Sequence, residues 1–355
     1  MRVEWIHDAE RFDALSSAWD ALLPEDARPF DLHCWYSAWW KAFGGSSELA
    51  VCVNWRDAEL QGVCPLILSE DRTVRAMAGS HSAVFRPLAR NRAAMRELTA
   101  SVVAAVPRSL DVWGLPSGDP AVAALEEAVA RTKMLSVLEL LHVSPVVETD
   151  GDFDAWRAGS KPRWGAPLER FRRKMARDHE AQFNIVEAPR DLAAELDAGF
   201  AVEASGWKGR AGTAIISMPE TEQFYREVAH AMHERGELRL SRIVLDGKPV
   251  AFDLCVLHAG RLYLLKTGYD EGFRRLAPGL VMRLSTIERC FELGYQAHEL
   301  LGSESEWKLK FATTERRHVG LRAYRRRPMA FGRYAYRSNV RPVLKRAYRA
   351  IRPPR

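Results

Sequence analysis

Two charged residues lie in segments that are otherwise apolar. Lys266 interrupts a strand-like run that begins at Leu262, and Asp253 lies in the middle of another such run. A lysine in apolar surroundings can stabilise an oxyanion, and a second cation nearby lowers its pKa. A buried carboxylate without a partner is costly, so Asp253 lies either on a solvent-exposed face or in a functional site. Both are candidate catalytic residues, although a lysine that extends to solvent is the simpler alternative for Lys266.

Two glutamates are candidates for proton transfer. Glu304 and Glu306 follow the strand-like segment that ends at Leu301. Glu306 is directly followed by the pair Trp307-Lys308. An amine that attacks a carbonyl carbon must lose a proton, and a carboxylate is a suitable acceptor. Acidic residues are equally suited to the first turn of a helix, where they stabilise its N-terminus. The sequence leaves both roles, catalytic and capping, open for these glutamates.

The segment from Arg274 to Leu280 has the features of an anion-binding helix start. Pro278 suits the first turn of a helix, and Gly279 allows a ligand to approach the backbone closely. Free N–H groups and the helix dipole attract phosphate at such a position. A helix start without a ligand is the alternative. The candidate anion-binding residues are Arg274, Arg275, Pro278, Gly279 and Leu280.

Hydrophobic periodicity and turn residues predict an α/β protein. The predicted helices of the first half are 12–23, 35–43, 92–106 and 120–131, and its strands are 49–54, 61–68, 110–113 and 136–141. The predicted helices of the second half are 168–181, 191–204, 220–235, 278–293 and 305–312. Its strands are 183–186, a strand before Asp246-Gly247, 249–258, 261–267, 296–301 and 318–324. Tight turns make a three-strand meander and a helix crosses over to the next strand, so the sheet must be mixed.

A segment rich in glycine, proline and tryptophan separates the two halves. The length of 355 residues fits about two domains, and residues 150–167 lack periodicity. We therefore predict a first lobe at 1–150, a linker at 151–167, a second lobe at 168–327 and a tail at 328–355.

The element order of the second half resembles the acyl-CoA N-acyltransferase fold known as GNAT. Three motifs narrow this resemblance to the CelD/BcsL-type acetyltransferases of cellulose and exopolysaccharide synthesis, which are related to the Fem-type peptidyltransferases. The motifs are Glu203-Ala-Ser-Gly-Trp-Lys-Gly209, Lys266-Thr-Gly-Tyr-Asp270 with Pro278-Gly279, and Gly302-x-Glu304-x-Glu306-Trp307-Lys308. The resemblance is strong over 168–324. The first half resembles a degenerate copy of the same fold, which predicts tandem GNAT-like lobes with the acyl donor bound by the second.

The resemblance implies an acyl-CoA substrate and an amine acceptor. It implies that the CoA pyrophosphate binds at the start of the crossover helix and that the thioester lies where strand 262–267 splays from strand 296–301. The acceptor would be an amino sugar or a lipid amine of an envelope precursor. The candidate acceptor-binding residues are Glu203, Trp207, Lys208, Tyr269, Trp307 and Lys308. An ion pair between Glu203 and Lys208 over a core tryptophan is the alternative for that part of the site.

The sequence leaves several alternatives to this acyl transfer open. An acyl carrier protein could replace CoA as the donor, and a long-chain donor with a sphingoid base would make the enzyme similar to a ceramide synthase. Fem-like transfer from aminoacyl-tRNA is a third reaction. A non-enzymatic alternative is that the chain is a scaffold of a polysaccharide synthase complex.

The charge is unevenly distributed along the chain. None of the 46 acidic residues, but 14 of the 52 Lys and Arg residues, lie after Glu315. Apolar residues recur at helical spacing over 339–351 with basic residues between them, a pattern that predicts a basic amphipathic helix. Phe331, Arg333, Tyr334, Tyr336 and Arg337 precede it. We expect residues 329–355 to bind an anionic membrane surface; packing on the acidic body and contact with RNA are the alternatives.

Composition limits the remaining classes of function. The N-terminus is charged where a signal peptide would be apolar, and the five cysteines are far apart, which is typical of reduced core residues. We expect a cytoplasmic protein held peripherally at the inner membrane, without a nucleic-acid partner. His230-x-x-His233 lacks the glutamate of a zinc-protease motif, so no metal is expected. Walker and Rossmann glycine patterns are missing from the sequence, which argues against kinases and dehydrogenases.

Overall fold

The internal contacts of the chain divide it into two units. The computed structural model describes residues 2–79, 81–82, 84–159 and 165–337. The first unit contains the residues up to Val143 and those from Arg316 on, and the second unit is Ser144–Glu315. The predicted linker at 151–167 contains a helix, Phe153–Gly159. The strand predicted at 318–324 lies in the first unit rather than the second.

Residues 2–148 contain helices and strands in close succession. The strands are β1 (Arg2–Ile6), β2 (Glu48–Leu49), β3 (Val51–Arg56), β4 (Glu59–Cys64), β5 (Leu66–Leu68), β6 (Thr73–Ala76), β7 (Leu88–Ala89), β8 (Ser109–Pro116) and β9 (Leu135–Glu148). The helices are α1 (Ala9–Asp13), α2 (Ser16–Asp20), α3 (His33–Phe43), α4 (Arg92–Ala105) and α5 (Pro120–Arg131). The helix predicted at 12–23 is thus two short helices, whereas the one predicted at 120–131 has the predicted bounds.

The later residues follow the predicted order of elements. The helices are α6 (Phe153–Gly159), α7 (Gly165–Asp178), α8 (Leu192–Ala204), α9 (Trp207–Arg210), α10 (Pro219–Glu234), α11 (Pro278–Glu292), α12 (Glu306–Leu309) and α13 (Pro328–Ala335). The strands are β10 (Ala181–Glu187), β11 (Leu238–Leu245), β12 (Lys248–His258), β13 (Arg261–Tyr269), β14 (Ala297–Glu299) and β15 (Thr314–Tyr324). A 3₁₀ helix, Glu271–Leu276, joins β13 to α11.

The first unit contains two sheets. One is antiparallel with the strand order β1-β3-β4-β7, and the other has the order β15-β8-β6-β5-β2. In the second of these, β6 and β8 are parallel. Helix α3 buries Trp35, Tyr36 and Trp39, so the tryptophan-rich segment of the sequence serves as core here.

The second unit is built on a mixed sheet. Its strand order is β10-β11-β12-β13-β14, followed by the last residues of β9. β10 to β13 are antiparallel, whereas β13 and β14 are parallel because α11 crosses over between them. The mixed sheet expected from the sequence is therefore confirmed.

Two tight turns fix the register of the meander β11-β12-β13. The φ angles of Asp246 and Gly247 are 52° and 77°, and those of Ala259 and Gly260 are 47° and 72°. Positive φ at both central residues is the type I′ geometry, whose twist matches that of an antiparallel hairpin. Glycine at the second position of each turn made both hairpins visible in the sequence.

Helices cover both faces of this sheet. Ala251 in β12 shares a core with Met282 of α11, whereas the next residue, Phe252, packs against Gly199 of α8. Successive side chains of a strand point to opposite faces, so α8 and α11 lie on opposite sides of β12. A Cβ on Gly199 would come within 2.3 Å of the Phe252 ring, and this close approach accounts for the glycine.

The parallel pair β13 and β14 is short. Their pairing runs from Arg261 with Ala297 to Tyr263 with Glu299, although β13 continues to Tyr269. Beyond Tyr263, β13 runs on without a parallel partner among the described residues, because β14 ends at Glu299. The splay that the resemblance implies stays a prediction.

The basic tail is described only in part. Helix α13 ends at Ala335, and the amphipathic helix predicted at 339–351 lies outside the described residues. Within the described part of the chain, none of the helices is both long and apolar enough to cross a membrane.

Candidate active site

A pocket of about 460 Å³ opens in the second unit beside the C-terminal end of β13. The predicted residues that line it are Glu203, Trp207, Lys208, Tyr269, Arg274, Gly279, Leu280 and Trp307. The lining also includes Gly206, Thr267, Gly268, Glu271, Ala277 and Arg283, none of which was among the predicted site residues. The predicted residues that lie outside the lining are Asp253, Lys266, Arg275, Pro278, Glu304, Glu306 and Lys308. Most of the acceptor-binding and anion-binding candidates therefore line one pocket, whereas none of the four catalytic candidates lines it.

A buried glutamate holds a lysine at the wall of this pocket. Glu203 is 2% exposed, and its Oε1 accepts a hydrogen bond of 2.8 Å from the Nζ of Lys208. The other oxygen, Oε2, accepts a hydrogen bond of 2.9 Å from the Ile215 N–H. Lys208 also donates to the Thr267 carbonyl at 2.8 Å. Since an ammonium group has three N–H donors, one donor of Lys208 is left for a ligand in the pocket.

Glycine at position 268 lets helix α8 approach β13 closely. A Cβ on Gly268 would lie 2.5 Å from the Cα of Glu203. Any larger residue would therefore push the backbone of α8 away from the strand. Gly268 sets the position of the Glu203 carboxylate and, through it, that of Lys208.

A buried arginine of helix α11 lines the pocket. Arg283 is 1% exposed, and its Nη2 lies 2.8 Å from the Oδ2 of Asp253. Its Nη1 donates to His298 Nε2 at 2.6 Å, and its guanidinium lies 5.5 Å from the centre of the Trp307 ring. Asp253 is therefore in a buried ion pair beneath the pocket rather than on a solvent-exposed face.

The partners of Arg283 have shifted pKa values. Burial lowers the pKa of His298 to about 3, with a further contribution from the Arg283 charge, so this imidazole is neutral. Its Nδ1 lies 3.0 Å from the Leu262 carbonyl, which assigns the proton to Nδ1 and leaves Nε2 to accept from arginine. Burial raises the pKa of Asp253 in spite of the neighbouring guanidinium. Arg283 is thus paired with one carboxylate, Asp253, and hydrogen-bonded to one neutral imidazole, His298.

Lys266 lies behind the pocket wall, among other charges. Its Nζ lies 4.8 Å from the centre of the Tyr225 ring. Burial lowers its pKa to about 8; Glu203 raises the pKa and Lys208 lowers it. This direction agrees with the lowered pKa beside a second cation that the sequence suggested. Its role in catalysis stays a prediction.

Lys308 supports a strained turn after β14. Leu301 and Gly302 both have positive φ, 49° and 59°, and Lys308 Nζ donates to the Leu301 and Ser303 carbonyls. Burial lowers the pKa of Lys308 to about 8, and the charges of Arg283 and Lys208 act in the same direction. Its hydrogen bonds hold the loop that carries Trp307 to the pocket.

The two glutamates of the third motif face solvent. Glu304 is exposed, and the Glu306 side chain is 75% exposed and pairs with Lys310 at 3.0 Å, one turn later in the chain. Glu306 is also the first residue of α12. The geometry of Glu306 fits the capping alternative better than proton transfer in this pocket.

The start of α11 offers fewer backbone donors than a typical anion site. Ala277 adopts a left-handed conformation with φ of 50° and donates its N–H to the Arg274 carbonyl, while Leu280 donates to the Ala277 carbonyl. Pro278 has no N–H. Among the backbone bonds of the described residues, the Gly279 N–H alone remains without an acceptor in this first turn. Arg274 lines the pocket and Arg275 is exposed, so anion binding here depends mainly on side chains.

Glu271 joins the two loops that frame the pocket. Its Oε1 accepts a hydrogen bond of 2.9 Å from the Trp207 N–H, and its Oε2 accepts one of 2.8 Å from Arg210. These bonds position the Trp207 ring, which is 57% exposed. No signal in the sequence marks this role, because a glutamate in a loop resembles any solvated acid.

Residues that could bind a metal are dispersed in the part of the chain that the structure describes. It contains no cluster of three or more histidine, cysteine, aspartate or glutamate residues that could hold a metal ion.

Comparison with known proteins identifies the fold of this domain. Residues 166–309 match the family described as "Acetyltransferase (GNAT) domain". A comparison with curated protein sequences finds no significant match.

Solved structures are similar over both units. FemX has a TM-score of 0.56 at 12% identity, with 93% of this chain and 98% of FemX covered. L-PGS from Bacillus licheniformis has a TM-score of 0.56 at 13% identity, with 93% and 96% covered. The C-terminal DUF2156 domain of a protein assigned as a lysylphosphatidylglycerol synthetase from Agrobacterium fabrum has a TM-score of 0.57 at 12% identity, with 90% and 94% covered.

These matches bear on the predicted fold and family. The expected fold class, a mixed-sheet α/β structure of the GNAT type, is confirmed, and the predicted division into two lobes stays a prediction. The narrower CelD/BcsL resemblance stays a prediction. The second unit of this chain therefore has the GNAT fold and contains the matched acetyltransferase domain at 166–309.

Proposed function

We propose that this chain transfers an acyl group from a thioester donor to the amine of an envelope precursor, an amino sugar or a lipid amine. The donor is acyl-CoA or an acylated acyl carrier protein, as in the CelD/BcsL-type enzymes that the motifs resemble. The observation that carries the proposal is the position of Lys208, which Glu203 and Thr267 hold at the wall of the pocket in the GNAT domain.

The position proposed for the donor is beside the C-terminal end of β13. β14 ends at Glu299, whereas β13 continues to Tyr269, and we propose that the donor lies as an extended chain beside these last residues. A phosphate group of the donor would contact the Gly279 N–H and Arg274. The glycine also fits sterically, because a Cβ there would lie 3.1 Å from the Tyr269 ring.

The reaction needs an oxyanion donor and a proton acceptor. The amine nitrogen attacks the thioester carbonyl carbon, the C–S bond breaks with its electron pair on the sulfur that leaves, and the proton lost by the amine is passed on to that sulfur to give a free thiol. In our proposal the free N–H of Lys208 stabilises the oxyanion. The neutral form of Lys266, which its pKa of about 8 makes accessible near that pH, accepts the proton through water and returns it to the leaving sulfur. The exposed rings of Trp207 and Tyr269 bind the apolar or sugar part of the acceptor.

A second reaction of the same class is Fem-like transfer from aminoacyl-tRNA. The observation that favours it is the start of α11, where hydrogen bonding and Pro278 leave one free N–H. A CoA pyrophosphate would find little backbone support there, whereas a donor held by other contacts would not need it. N-acylation of a sphingoid base differs from the leading proposal only in the length of the acyl chain and the acceptor.

Calorimetric titration with acetyl-CoA, palmitoyl-CoA and free CoA tests the donor class. We expect micromolar binding of at least one thioester and a loss of at least tenfold in Gly279→Asp, because a carboxylate there repels phosphate. Gly151→Asp is the control, since it adds the same charge at a position where no atom lies within 4 Å of the added Cβ. Binding of none of these compounds, nor of an acyl carrier protein, would overturn the proposal and turn attention to aminoacyl-tRNA.

We further propose that residues 329–355 hold the protein at an anionic membrane surface on the cytoplasmic side, close to a lipid-borne acceptor. Co-sedimentation with anionic vesicles should fall strongly when the chain is truncated after Pro328 and should weaken with rising salt. Equal sedimentation of both proteins would contradict membrane attachment by this segment.

A further inference from the structure

A second cavity, in the first unit, is lined by arginines. Its volume is about 390 Å³, and its lining is Arg72, Arg108, Arg325, Arg327, Pro107, Ser109, Tyr324 and Ala330. Among these described lining residues there is no aspartate or glutamate. Four guanidinium groups around one cavity repel one another unless an anion lies between them.

Two of the arginines are held in place by backbone carbonyls. Arg325 donates its Nε to the Val106 carbonyl at 2.9 Å and its Nη2 to the Val103 and Ala104 carbonyls at the end of α4. Arg108 donates its Nη1 to the Asp71 carbonyl at 3.2 Å. Carbonyl acceptors fix the orientation of these groups but leave their net charge in place.

The other two arginines complete the rim. Arg72 and Arg327 are exposed, and within the described residues none of the four arginines forms an ion pair with a carboxylate. The nearest acid in the sequence, Asp71, is already engaged: its Oδ1 accepts from Ser69 and its Oδ2 pairs with Arg75 at 3.4 Å. The positive charge of the cavity is therefore not cancelled from within.

We propose that this cavity, which we call the arginine pocket, binds a phosphate-type dianion. Guanidinium groups match the oxygen geometry of phosphate and form paired, charge-assisted hydrogen bonds with it. Arg325 and Arg108 form the prearranged base, and Arg72 and Arg327 close over the ligand. The phosphate belongs either to a phosphorylated small molecule or to the head group of an anionic lipid. This binding site is independent of the acyl-transfer reaction.

The test compares the full-length chain with one variant and one control. The variant is Arg72→Asn with Arg327→Ala; asparagine tolerates the left-handed backbone of position 72, where φ is 61°. Both replaced side chains are exposed, so the fold should persist, and circular dichroism checks this. The control is Arg75→Ala, which removes an exposed arginine of β6 whose partner is Asp71.

Inorganic pyrophosphate is titrated calorimetrically, and vesicles of phosphatidylcholine with and without phosphatidic acid are sedimented with the protein. A soluble ligand predicts pyrophosphate binding that falls at least tenfold in the variant and is unchanged in the control. A lipid ligand predicts no pyrophosphate binding, and sedimentation with phosphatidic acid that falls in the variant alone. The proposal is overturned if neither probe binds, or if variant and control bind alike.

Discussion

The Nη2 of Arg283 lies 2.8 Å from the Oδ2 of Asp253, and the two side chains are 1% and 0% exposed. Removing one charge of a buried pair leaves the other without compensation, at a cost of about 3–5 kcal/mol. We therefore expect Asp253→Asn to lower the free energy of unfolding by about 3 kcal/mol, measured by urea denaturation at pH 7.

The pair of Arg226 and Asp197, at 2.6 Å with the Asp197 side chain 64% exposed, is the control. Its loss in Asp197→Asn should cost less than about 1 kcal/mol, because solvent screens exposed ion pairs. Equal effects of the two substitutions would mean that burial of Asp253 and Arg283 does not increase the contribution of their ion pair to the free energy of unfolding.

Lys208 offers a test of catalysis that can be separated from stability. Lys208→Met should lower kcat/KM for thiol release from acyl-CoA by about 100-fold, the usual effect of removing one oxyanion donor. It should also destabilise the chain, because Glu203 is buried. The double variant Glu203→Gln/Lys208→Met removes both charges and should regain stability but not activity. Recovery of activity together with stability would refute a catalytic role for Lys208.

The two exposed glutamates serve as further controls for the same assay. Glu304→Gln and Glu306→Gln should each retain kcat within about twofold, because neither side chain lines the pocket. A large loss of kcat in either variant would instead support the proton-transfer role that the sequence suggested.

Gly268 should tolerate no side chain. Gly268→Ala places a carbon 2.5 Å from the Cα of Glu203, and overpacking against backbone costs about 1–3 kcal/mol. Thermal denaturation should show a lower Tm for this variant and no change for Gly118→Ala, where no atom lies within 4 Å. An unchanged Tm in Gly268→Ala would show that α8 is free to move away from β13.

The lowered pKa of Lys266 predicts how stability depends on pH. The folded-state pKa is about 8 and the ordinary value is 10.5, so between these values the unfolded chain binds more protons than the folded chain. Stability should therefore rise as the pH increases from 8 to 10.5. The gain is on the order of 2 kcal/mol after allowance for partial exposure.

Lys308, whose pKa is also about 8, contributes in the same range, so the comparison must be made between variants. Urea denaturation at pH 7.5 and pH 10 should show a smaller gain in Lys266→Met than in the unaltered chain. An identical gain in both would mean that the ammonium group of Lys266 is not destabilised by the fold.

The fold was predictable because its signals are local. Gly247 and Gly260 mark the two hairpins, and Pro278 marks the start of the crossover helix, so the element order follows from short stretches of sequence. Where the signal depends on tertiary contacts, the prediction was wrong. The apolar spacing over 12–23 predicts one helix, but the structure breaks it between Asp13 and Ser16.

The site was only partly predictable, because some of its residues are close in the sequence and others are brought together only by tertiary packing. Glu203, Trp207 and Lys208 lie within six residues of one another, so the motif already brings them together. Arg283 lies 30 residues after Asp253 in the middle of a helix, and only the packing of α11 on the sheet makes them partners. A lone arginine between apolar residues of a helix was the one available signal.

The cavity of the second unit has a consequence for the evolution of the chain. Lys208, Lys266 and Arg283 lie near two buried carboxylates, Glu203 and Asp253. Lys308 lies near Arg283 and Lys208, and Lys266 and Lys308 have pKa values lowered to about 8. A chain selected only for folding would lose such a surplus of cations by ordinary drift towards neutral residues. Variants selected for heat resistance alone should therefore replace Lys266 early, and they should lose turnover as they do so.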